Sequence, residues 1–86
     1  NSGEKITVEA FNLDNNILEG TKKLKNIMQV EYKDNLLILK SSRGKDNLVA
    51  VLEYLKANNV TIGKVYSEPP TLNDVFLEIT GKELRD

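Results

Sequence analysis

The sequence contains no cysteine, no histidine and no tryptophan, with only two prolines and one methionine. Without cysteine there is no disulfide staple, no thiolate nucleophile, no iron–sulfur cluster and no cysteine-based zinc site. Small secreted domains generally depend on such staples, so an intracellular setting is expected. Without histidine there is no imidazole base, no Ser-His triad and no histidine-ligated haem. An excess of one charge sign is also lacking: 12 Lys and Arg stand against 13 Asp and Glu, a net charge of −1. That balance speaks against a dedicated nucleic-acid binder, which carries a basic stripe. No apolar run approaches the ~18 residues of a membrane span, and no signal peptide is visible. What remains is ordinary globular composition, 40% hydrophobic and 29% charged over 86 residues. A chain this short has room for one modest core.

The chain opens Asn1-Ser2-Gly3, without an initiator methionine. Residues 1–5 are therefore expected to be a tag or linker remnant, and residues 6–86 one domain cut from a longer protein.

Hydrophobic periodicity divides the rest into seven segments. Ile6 to Phe11 reads as a strand. Asn16, with Glu19 three residues on, predicts a capped helix from about Ile17 to Asn26, with Ile17, Thr21 and Leu24 on one side. Gly20 weakens that helix by roughly 1 kcal/mol relative to Ala. Met28 to Lys33 alternates strictly, which predicts a strand with Met28, Val30 and Tyr32 inward. Asp34-Asn35 suits a tight turn into Leu36-Leu37-Ile38-Leu39, whose unbroken apolar run predicts a strand covered on nearly both faces. Ser41 to Lys45 reads as a polar loop and Asp46 as a helix cap. Leu48, Val51, Leu52 and Leu55 then form the best apolar stripe of the chain, up to Asn58-Asn59. Val60 to Tyr66 returns as a strand, and Pro69-Pro70 breaks regular structure.

A last helix is expected over about residues 71–81. Thr71 and Asp74 are placed as its capping pair, Leu72, Val75, Phe76 and Ile79 as its stripe, and Gly81 as its C-cap. The order strand-helix-strand-strand-helix-strand predicts an α+β domain of ferredoxin-like type. This is a βαββαβ antiparallel sheet with two helices on one face, plus the extra C-terminal helix.

Such a sheet hosts unrelated functions, so residues must decide. RNA binding by base stacking needs aromatics on the central strands, and the hairpin offers Tyr32 alone. Asp74 and Glu78 share a helical side and could hold a divalent ion, although a capping acid beside a surface acid explains them better. Ser42-Arg43-Gly44-Lys45 lacks the full spacing of a phosphate-binding loop and reads as a solvated loop. Neither catalytic, cofactor-binding nor metal-binding residues are identified. A small-molecule-sensing regulatory domain remains the alternative, because a pocket built from backbone leaves little trace in sequence.

The most specific feature is the run from Pro70 to Asp86, PTLNDVFLEITGKELRD. It resembles the closing segment of ATP-binding subunits of bacterial ABC transporters of the drug- and antibiotic-exporter type, with Asn73 where an acid is common. The groups that recur at fixed spacing are Val75-Phe76-Leu77, Thr80-Gly81 and Leu84-Arg85-Asp86, and the resemblance implies an interaction motif of Thr71, Leu72, Asp74, Val75, Phe76, Leu77 and Gly81. The preceding residues fit the same family's accessory domain in length and element order. The resemblance implies a non-catalytic accessory domain supporting subunit pairing, or coupling of ATP hydrolysis to the membrane permease. It further implies an upstream ATPase domain of the same chain, which would bind ATP and magnesium through its own P-loop, signature motif and Walker B acid. A second ATPase subunit and a permease subunit are the implied partners, and the cytoplasmic face of the cell membrane the implied location. The stripe of the last helix either fills this domain's core or docks on that ATPase domain.

Overall fold

The computed structural model describes residues 2–69, 71–73 and 79–81. Six elements follow in order: β1 (Ser2–Phe11), α1 (Asn15–Thr21), β2 (Ile27–Lys33), β3 (Leu36–Ser42), α2 (Asn47–Ala57) and β4 (Thr61–Glu68). The strands form one antiparallel sheet in the order β2-β3-β1-β4. The α+β class, the four-stranded antiparallel sheet and the two helices follow the expectation from sequence.

The core forms where two alternating strands meet one helical stripe. Ile6 pairs with Leu39 and Val8 with Leu37 across β1 and β3. These four, with Ala10, Val51 and Leu55, are fully buried. Ile17, Leu18 and Leu24 from the α1 region and Leu48 and Leu52 from α2 pack around them. Each buried Leu or Ile contributes roughly 1.5–3 kcal/mol by leaving water.

Several local expectations are corrected. β1 begins at Ser2, four residues earlier than the β-branched run suggests, because Ser2 and Lys5 pair with Ser42 and Lys40 of β3. α1 is shorter than 17–26 and starts earlier. Its cap is Asp14, not Asn16: the Asp14 carboxylate accepts from the Asn16 amide at 2.6 Å. The inward side of α1 is as expected, with Thr21 buried and its hydroxyl donating to the Leu18 carbonyl at 2.6 Å. Gly20 has a packing reason. A Cβ there would collide with the Tyr54 hydroxyl of α2, which donates to the Ile17 carbonyl at 3.1 Å.

On β2, Val30 and Tyr32 face the core, but Met28 is 61% exposed. A register shift between Ile27 and Gln29 breaks the alternation, and Ile27 takes the inward place instead. The Asp34-Asn35 turn forms with both residues at positive φ and joins Lys33 to its partner Leu36. β3 is not covered on both faces. Leu37 and Leu39 are buried, whereas Leu36 is 41% exposed and Ile38 half-buried, since the helices cover one side only. The strand also runs on through Ser41 and Ser42, which the sequence places in a loop. Ser41 is buried, with its hydroxyl accepting from the Glu4 amide at 3.2 Å.

α2 carries the predicted stripe, with Val51 and Leu55 innermost. Asp46 sits at its N-cap in the left-handed region, but its side chain makes no capping bond. Asn47 stitches this entry instead, donating to the Ser42 carbonyl at 3.1 Å and accepting from the Asn26 amide group at 3.0 Å. β4 spans Thr61–Glu68, slightly beyond the expected 60–66, and ends just before Pro69.

Candidate docking surface

The C-terminal motif is described at Thr71, Leu72, Asn73, Ile79, Thr80 and Gly81. Asp74, Val75, Phe76, Leu77 and Glu78 lie outside the described residues, and the acidic pair Asp74–Glu78 with them. Leu72-Asn73 and Ile79-Thr80 have helical backbone, and Gly81 sits at φ 76°, the left-handed geometry of a helix stop. Leu72 and Ile79 are each 76% exposed. These two stripe members therefore do not fill the domain's core, which closes without them around β1, β3 and α2.

Other sequence candidates turn out to be structural. The Tyr32 hydroxyl donates to the Ala10 carbonyl at 2.6 Å and accepts from the Leu13 amide at 3.1 Å, so this aromatic holds β2 to the end of β1. The Ser42–Lys45 loop is tied down from both sides by the Asn26–Asn47 bonds. Among the described residues, no group of three or more carboxylates gathers as a metal site. No described helix is long and apolar enough to cross a membrane. The sheet face away from the helices carries a shallow depression of about 150 Å³ between Lys5, Gln29, Glu31, Ile38 and Lys40. Ligand pockets typically enclose ~300–1,000 Å³, and this one has mixed charges on its rim.

The sequence reading gave no role to β4, the edge strand beside β1. Val8 pairs with Val65 but Ala10 with Ile62, so β4 carries one extra residue, a bulge at Gly63–Lys64 opposite Glu9. The Glu9 carboxylate accepts from the Lys64 amide at 3.0 Å and lies where a side chain on Gly63 would have to go. Past the bulge, Tyr66 stands opposite Thr7 and Glu68 opposite Lys5. Lys64, Tyr66 and Glu68 thus alternate on the face away from the core, and Tyr66 is 56% exposed. The signal in the sequence was the period-two spacing of Lys64, Tyr66 and Glu68, which is hard to distinguish from an ordinary solvated edge.

No curated protein and no solved structure matches the chain. A family model does: that of the DrrA1-3-like ATP-binding protein, C-terminal domain, matches residues 1–80. On that match over residues 1–80, the chain belongs to the C-terminal domains of DrrA1-3-like ATP-binding proteins.

Proposed function

We propose that this is a non-catalytic accessory domain of an ABC transporter's ATP-binding subunit. Its closing motif docks on the ATPase part of the transporter, supporting subunit pairing or coupling to the membrane permease during export. In this reading ATP and magnesium are bound by the upstream ATPase domain. The domain then works at the cytoplasmic membrane face through its partners. The ferredoxin-like description is supported by the strand order, with β1 between β3 and β4 and both helices adding to one core. The observation that carries the functional reading is the exposure of Leu72 and Ile79, 76% each. These two large apolar side chains stand outside the core formed by the described residues, and apolar area of this kind is what the centre of an interface buries.

The test is made in the whole ATP-binding subunit with its permease. Leu72→Asp and Ile79→Asp remove the anchors without touching the core. The domain should keep its denaturation midpoint, while transport-linked ATPase activity or recovery of the assembled transporter falls. Unchanged activity and assembly in the double variant would exclude docking through this motif.

A further inference from the structure

We propose that the outer edge of β4 pairs antiparallel with β4 of a second copy of this chain, in a register centred on Tyr66. The inference deepens the subunit-pairing part of the function above and rests on that reading for its setting, since two ATP-binding subunits bring two such domains together.

Three observations define the register. First, the Lys64 amide is turned inward, to Glu9 of β1. Backbone groups alternate along a strand, so the amides and carbonyls of Val65 and Ser67 point to the outer edge. Pairing Val65 of one copy with Ser67 of the other satisfies these groups twice over by symmetry. Second, the same register sets Lys64 opposite Glu68 of the other copy, again twice, and Tyr66 opposite Tyr66. Opposite charges and facing aromatics are the cross-strand pairs that stabilise a sheet. Third, the alternatives lack this match. A register centred on Val65 sets Lys64 against Tyr66. The other edge strand, β2, sets Gln29 against Glu31 when centred on Val30, and two carboxylates against each other when centred on Glu31.

The bulge at Gly63–Lys64 bounds the pairing segment at one end, and Pro69, which has no amide hydrogen, bounds it at the other. Such a short contact buries less than the roughly 1,000 Å² of a stable interface and is weak by itself. Within a two-subunit ATPase, an effective concentration in the millimolar range is enough to form it.

These 86 residues contain no cysteine, so within this domain an introduced cysteine has no native competitor. Facing residues of a non-hydrogen-bonded antiparallel pair have Cα atoms about 4.5 Å apart, within the roughly 4.4–6.8 Å that a disulfide spans. Tyr66→Cys should therefore oxidise to a disulfide dimer on the order of tenfold faster than Lys64→Cys, which faces position 68, or Lys45→Cys in the α2 entry loop. Circular dichroism and the denaturation midpoint confirm that each variant is folded. Adding Lys64→Glu to Tyr66→Cys should slow the crosslink, and adding Glu68→Lys as well should restore it. Equal rates at the three cysteine positions, a faster Lys64→Cys, or indifference to charge reversal would each overturn the proposal. If the crosslink fails while Leu72→Asp still uncouples the transporter, edge pairing falls and motif docking stands. If the crosslink forms and the Leu72 and Ile79 variants remain fully active, the reverse holds.

Discussion

Replacing Gly20 by Ala should destabilise this domain, against the usual rule for a helix. In an open helix the change gains roughly 1 kcal/mol. Here the new Cβ meets the Tyr54 hydroxyl and lies 2.7 Å from its ring carbon Cζ. The hydroxyl is anchored by its 3.1 Å bond to the Ile17 carbonyl, and the ring is packed against the core. To admit the methyl group, Tyr54 must swing away. It then loses a hydrogen bond worth about 0.5–1.5 kcal/mol and incurs overpacking strain of ~1–3 kcal/mol. Subtracting the propensity gain leaves a net loss of about 0.5–3.5 kcal/mol. Tyr54→Phe provides the control. It removes the colliding oxygen, and the remaining 2.7 Å contact with Cζ returns to ordinary van der Waals distance, 3.4 Å, when the unanchored ring moves outward. On that background Gly20→Ala should be near neutral, giving a coupling energy of more than ~0.5 kcal/mol in the double-mutant cycle. Urea denaturation of the four proteins, with unchanged m-values, measures this directly. A higher midpoint for Gly20→Ala alone would refute the reasoning. So would additivity of the two changes within about 0.5 kcal/mol.

Further outcomes follow from the burial pattern and the hydrogen bonds. Leu55→Ala, in the fully buried part of the α2 stripe, should cost ~2–5 kcal/mol, whereas Val49→Ala, half exposed on the same helix, should stay within about 0.5 kcal/mol. Equal losses by denaturation would mean that α2 is covered on both sides. Tyr32→Phe should cost about 1–3 kcal/mol, because it leaves the Ala10 carbonyl and the Leu13 amide without their shared partner. Faster hydrogen exchange at Leu13 should accompany that loss, and a neutral Tyr32→Phe with unchanged exchange would show that water replaces the hydroxyl.

Local periodicity determined much of this protein. The i, i+3, i+4, i+7 spacing of Leu48, Val51, Leu52 and Leu55 was enough to place α2 and its inner face, because a stripe on a regular helix has only one way to be buried. The Asp34-Asn35 turn was legible because few residues accept positive φ. The motif from Pro70 onward carried the family, which the match over residues 1–80 bears out.

Tertiary structure decided the features that periodicity cannot encode. Whether Leu36 and Ile38 are covered depends on where the helices lie, and they lie on one side of the sheet, so an unbroken apolar run became an alternating strand. Met28 points outward because a bulge, a feature of pairing between strands, reset its register. Asp14 rather than Asn16 caps α1, a choice between two competent neighbours that depends on the chain's path out of β1. The edge position of β4 arises only when β1 pairs with both β3 and β4. Until then Lys64, Tyr66 and Glu68 are simply alternating residues. Assembling the sheet puts them on one face at its boundary, where their charges and spacing acquire a direction and a possible partner.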